Sequence, residues 1–220
     1  MAKQSAKQRQ KSLQRKRDKR KRKQKAGPVQ HRARSMRGLL RTSSSWPLHE
    51  CWIAKEWQEE GAIVQVVVSR LSSQGQVAAG VFLVDLGCLG VKNAFGGVFD
   101  TRLTYAQELR EHTLATQEMI ECSLDLAAKV IRDAVAYARD LGFSPHRDYR
   151  DAMLVLSDAN PDACDETVPL GMDGKPFFVS GPYDNVDRIM AKLTRRLGPD
   201  GFHFMAGLEV PDGVYLEDED

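Results

Sequence analysis

No Phe, Trp or Tyr occurs before Trp46, and the first 41 residues contain a single acid, Asp18. The first absence removes the aromatic platforms on which single-stranded nucleic-acid binders stack bases. An anionic partner of this segment is therefore expected to be met through its backbone charges, without sequence preference. The second absence leaves 17 Lys and Arg side chains in residues 1–41 almost uncompensated.

Long apolar runs are missing too. No stretch approaches the roughly 18 apolar residues of a membrane span. The basic start is not followed by the apolar segment of about 7–15 residues that marks a secretory signal. Together these predict a cytoplasmic protein with no membrane partner. The cysteines, Cys51, Cys88, Cys122 and Cys164, include no Cys-x-x-Cys pair, and His49 with Cys51 has no second ligand pair at zinc spacing. They are expected to be free thiols in a reducing compartment.

The formal charge of +2 conceals two opposed segments: residues 1–41 carry +16 and residues 42–220 carry −14. Residues 1–26 are nearly all Lys, Arg, Gln and Ser, with Leu13 the only large apolar side chain after Met1. Such a segment cannot bury enough surface to offset its ordering entropy, so disorder is expected when it is free. Its good helix formers allow it to order once an anion removes the repulsion. The resulting division is a Lys/Arg-rich tail and linker at 1–45, one folded domain at 46–212, and an acidic C-terminal tail at 213–220.

Within the body, "CWIAKEW" (51–57) predicts an edge strand. "AIVQVVVSRL" (62–71) and "QVAAGVFLVDL" (76–86) flank the turn signal "SSQG" and predict an antiparallel hairpin. Their near-continuous apolarity implies burial on both faces or helices over one of them. "TYAQELREH" predicts a short helix. A longer one runs from Ser123 as N-cap to Gly142 as the terminating glycine, with Ala127, Val130, Ile131, Ala134, Ala138 and Leu141 on one face. Residues 146–156 predict a further helix with Pro145 near its start.

Asp173-Gly174 between apolar runs predicts a second hairpin over 167–180. "NVDRIMAKLTRRLG" then predicts an amphipathic helix capped by Asp184 or Asn185 and ended by Gly198. Strand pair, helices, strand pair and helix give an α+β fold, a mainly antiparallel sheet with packed helices.

Two places carry possible chemistry. "VFLVDLGCLGVKNAFGG" (81–97) is read as a buried strand that runs out into a glycine-rich loop with Asp85, Cys88 and Lys92. It is not a phosphate-binding P-loop, because the spacing is wrong and Asn93 follows the lysine, and its glycines do not fit G-x-G-x-x-G. Asp85 is a candidate base or metal ligand, Cys88 a candidate nucleophile given a partner that lowers its pKa, and Lys92 a candidate phosphate contact. The ordinary alternative is a strand-end carboxylate, a thiol packed as a small hydrophobe and turn glycines.

The second place is "GFSPHRDYRD" (142–151), where His146, Asp148 and Asp151 suit a divalent ion or acid–base work. Acids at a solvated helix start produce the same letters. No cofactor is specified by either motif.

Three function classes follow. The leading one is a protein associated with nucleic acid, RNA rather than DNA, or with a ribonucleoprotein. There Lys16, Arg17, Lys19, Arg20, Lys21, Arg22, Lys23 and Lys25 supply the attraction and the acidic body the specific contact. The second is a hydrolase or nuclease using Asp85, Cys88 and His146, with Lys92, Asp148 and Asp151 in support. The third is a protein-interaction module whose tail lies over its own acidic body. Convergence of the two motifs in one cleft would favour the enzyme, and dispersal a binding module.

Overall fold

The computed structural model of the chain describes residues 36–206. The basic residues Lys16 to Lys25 and the acidic tail at 213–220 lie outside the described residues.

Among the described residues, seven strands, five helices and a separate 3-10 turn at Pro161–Ala163 build an α+β fold. β1 (Leu48–Ala54), β2 (Ile63–Leu71), β3 (Val77–Asp85), β4 (Gly90–Phe99) and β5 (Met119–Glu121) form an antiparallel sheet in the order β4-β3-β2-β1-β5. The predicted hairpin is β2–β3, paired without interruption from Ile63↔Asp85 to Leu71↔Val77. Ser72 closes its turn: its hydroxyl accepts from Gln76 N at 3.0 Å, and Gly75 adopts φ +87°.

β1 begins at Leu48, earlier than its sequence suggested, and is not an edge. The short β5 pairs with Trp52, Ile53 and Ala54.

The glycine-rich segment is a strand, not a loop. After a four-residue turn at 86–89 the chain reverses into β4, which pairs with β3 from Asp85↔Gly90 to Val77↔Phe99 with one bulge, at Lys92. Gly80 and Gly96 are partners in that ladder. A Cβ on Gly96 would lie 3.0 Å from the backbone of Ala152, and one on Gly80 would lie 3.0 Å from Ala152 O. The two glycines form a shallow trough that lets a helix backbone sit on the sheet.

Helical residues 36–43 (α1) show that the packed body starts before Trp46. Leu40 is fully buried in the main core, and Ser43 is buried with its hydroxyl donating to Leu40 O at 2.7 Å. One buried leucine among basic neighbours leaves too little apolar periodicity to announce a helix.

Residues 102–114 (α2) are helical throughout, with a π-helical stretch at Ala106–Arg110 between α-helical Arg102–Tyr105 and Glu111–Leu114. α3 (Leu124–Asp140) has the predicted caps: Ser123 accepts from Leu126 N at 3.1 Å, and Gly142 adopts φ +87°. α4 (Tyr149–Ala152) tightens at once into 3-10 turns over Met153–Leu156, so the helix expected at 146–156 starts later and is less regular.

The main core joins α1, α3 and α4 to one sheet face through Leu40, Ile53, Val66, Val68, Phe82, Ile131 and Val155. On the other face α2 covers Val77 and Ala79 with Tyr105. Burial on both faces explains the unbroken apolarity of β2 and β3. Arg70 also points into this interior, 2% exposed, donating to Val155 O at 2.6 Å and Trp46 O at 2.8 Å and pairing with Asp158.

The expected second hairpin is only its turn. Met172 and Lys175 bridge across Asp173 and Gly174, both at positive φ, and the pairing goes no further. β6 (Phe177–Val179) instead pairs in parallel with β7 (His203–Met205), and α5 (Val186–Leu197) connects them. This β-α-β unit has its own core, in which Val186, Ile189, Met190, Leu193 and Leu197 of α5 pack with Cys88, Leu89, Leu141, Phe178 and Phe202.

Candidate functional site

Asp85 is the last residue of β3, opposite Gly90. Its Oδ1 accepts from Cys88 N at 2.8 Å and Leu89 N at 3.2 Å, so the carboxylate holds the 86–89 turn. The residue is 2% exposed, and its Oδ2 is buried with no hydrogen-bond partner among the described residues. Burial pushes the carboxyl above its ordinary value; the two N–H donors and Lys92 oppose this without cancelling it.

Cys88 is fully buried among the apolar side chains of the β-α-β core. Burial first, and then the neighbouring Asp85, push its thiol up against a smaller pull from Lys92. The surroundings therefore hold the sulfur protonated, the opposite of an activated nucleophile.

Lys92 reaches across to the segment before α5. Its Nζ lies 2.6 Å from Asp184 Oδ2, which also accepts from Gly181 N at 2.8 Å. Both side chains are mostly shielded, so the pair pins residues 181–184 to β4. Asn185, rather than Asp184, is the N-cap of α5, accepting from Arg188 N at 3.0 Å. Where an anionic ligand was conceivable, the protein supplies its own carboxylate.

The close approaches permitted by the glycines are also used internally. A Cβ on Gly87 would meet Phe177 O at 2.2 Å, and Phe177 N donates to Gly87 O at 2.9 Å. Gly90, at φ +67°, lies against α3, where a Cβ would meet that of Ala138 at 2.8 Å.

His146 adjoins this region through its backbone, donating N–H to Val91 O at 2.9 Å. Its side chain turns to its own segment. Nδ1 accepts from Asp148 N at 3.4 Å and lies 3.9 Å from Asp148 Oδ2. Asp148 also faces Arg147, while Asp151 pairs with Arg37 Nε at 3.1 Å. The two motifs thus touch along the main chain, but their functional side chains have separate partners. Among the described residues no three His, Cys, Asp or Glu side chains gather as a metal would require.

Three groupings escaped the sequence. Glu50 accepts from Tyr105 Oη and Arg110 Nε, both at 2.9 Å, and the Arg110 guanidinium lies 5.9 Å from the centre of the Trp52 ring. This network fastens the π-helical part of α2 to β1. Cys51 and Cys122, 71 residues apart, bring their sulfurs to 3.5 Å.

The third grouping is basic. On α5, Arg188, Arg195 and Arg196 are exposed, and Lys192 lies between them with its Nζ 4.7 Å from the centre of the Phe143 ring. Spacing of i, i+4, i+7 and i+8 was the signal that could have found this stripe. No helix among the described residues is long and apolar enough to cross a membrane.

Comparison with protein-family models, with curated proteins and with solved structures gave no match to this chain.

Proposed function

We propose that the chain is a cytoplasmic RNA-binding protein, working on RNA or a ribonucleoprotein through a cationic N-terminal arm and a folded body. One observation carries the reading: residues 1–41 hold 17 of the 32 Lys and Arg and one of the 30 acids. Each cation that neutralises a phosphate releases counterions, which makes such an arm a strong and salt-sensitive ligand for nucleic acid. RNA is favoured over DNA because a basic segment of this composition can follow the irregular surface of a folded RNA and order there.

The body supports a binding role over a hydrolytic one. Asp85 and Cys88 are buried in supporting positions, and His146 faces Asp148 rather than either of them. Deleting residues 1–26 is expected to remove most retention on immobilised RNA at low salt. Equal retention of the shortened and full chains would remove the proposal.

A further inference from the structure

The arm has no aromatic residue before Trp46, so aromatic stacking on bases must come from elsewhere in the chain. Tyr183 has the chemistry for it. It is 99% exposed, contributes no burial to the fold, and precedes α5 in a segment pinned on both sides. The Lys92–Asp184–Gly181 contacts hold residues 181–184, and the Asn185 cap fixes the start of the helix.

From this aromatic runs the outer face of α5. Arg188, Lys192, Arg195 and Arg196 fall on one stripe about 12 Å long at the helical rise, while the opposite face is packed in the β-α-β core. Asp187 is the one acid of the helix. Among the described residues no carboxylate pairs with Arg188, Arg195 or Arg196, nor with Arg41, Arg102, Arg139 or Arg150, whereas Arg37, Arg70, Arg110, Arg132 and Arg147 are paired. What sets the α5 arginines apart is their grouping: three exposed guanidinium groups share one helix in a segment that is otherwise strongly acidic.

We infer that this face is an RNA contact: Arg188, Arg195 and Arg196 meet successive phosphates of an unpaired stretch, and Tyr183 stacks on one of its bases. The inference rests on the RNA-binding reading above and gives the body its part in it. Lys192 is held by Gly142 O and the Phe143 ring, and stiffens the stripe from within. The rival occupant is the chain's own residues 207–220, which carry six acids and no base and follow β7 in the sequence.

The test uses the full chain and an oligouridine, with affinity followed across a salt series. Replacing Arg188, Arg195 and Arg196 by Gln should lower the slope of log affinity against log salt by about 2, the release expected for three contacts to a single strand. Tyr183→Ala should weaken binding about tenfold at every salt concentration, the effect of one lost stacking contact. Unchanged far-UV circular dichroism would show that these exposed substitutions leave the fold intact.

Failure of the wild-type chain to bind a folded RNA as well as the oligouridine would overturn the RNA-binding reading itself, and failure on the oligouridine alone would overturn this inference. Binding that depends on residues 1–26 but ignores both α5 variants would overturn this inference alone. A loss in the arginine variant that vanishes once residues 207–220 are removed would assign the face to that acidic segment. In that case the acids, freed from α5, compete for the arm, and the inference is again overturned. Persistence of both effects without residues 207–220 supports it.

Discussion

Gly80 and Gly96 stand opposite each other on β3 and β4, and the space their missing side chains leave is filled by the backbone of Ala152. Gly96 of "VKNAFGG" therefore serves packing between sheet and helix, while a Cβ on Gly97 would meet the Phe95 ring. Gly96→Val would drive a branched side chain into that backbone. A loss of about 1–3 kcal/mol, typical of overpacking, is expected, seen as a lower urea midpoint. A midpoint equal to wild type would mean that α4 does not depend on the trough.

Asp85 supplies a pH dependence whose sign is fixed by its burial. Its carboxyl titrates above the ordinary value of 3.8 because it is withdrawn from water. The native state thus keeps a proton that the unfolded chain releases, so stability falls as pH rises from about 4 until the native carboxyl itself ionises. Asp85→Asn retains the Oδ1 acceptor for Cys88 N and Leu89 N and removes the titration. Urea midpoints measured across this range should shift in the variant's favour as pH increases. A wild-type-to-variant difference that is flat in pH would contradict the assignment.

The thiols divide by burial. Cys51 and Cys88 are buried, and Cys122 and Cys164 are half-buried. Alkylation of the native chain should label Cys122 and Cys164 first and reach Cys88 only on unfolding, as peptide mapping would show. Early labelling of Cys88 would reopen its reading as a nucleophile. The 3.5 Å contact of Cys51 with Cys122 adds a second expectation. Oxidised glutathione should link this pair, one glutathione disulfide and two protein thiols giving one protein disulfide and two glutathione thiols.

What could be read from sequence had its cause nearby in the chain. Ser123 and Gly142 announce α3 because each caps it through bonds to residues three to five positions away. The β2–β3 hairpin is equally local, set by Ser72 and Gly75. Gly96 looks like a loop residue in sequence because its reason, Ala152, lies 56 positions on and against the sheet face. The strand Phe177–Val179 was assigned an antiparallel partner next door, whereas its parallel partner follows a whole helix later.

The candidate site shows the same division. The residue types at Asp85, Cys88 and His146 were legible, but their partners were not. Lys92 meets Asp184 from 92 positions away, and Asp151 meets Arg37 of α1, 114 positions earlier in the chain.

The most direct test of the central claim is the salt dependence of RNA binding by the full chain. Wild type should be compared with a variant carrying Gln at Lys16, Arg17, Lys19, Arg20, Lys21, Arg22, Lys23 and Lys25. The account predicts steep weakening with salt for wild type and a slope lower by about 6 for the variant, as eight fewer cations meet phosphates. Equal slopes for the two chains would contradict it.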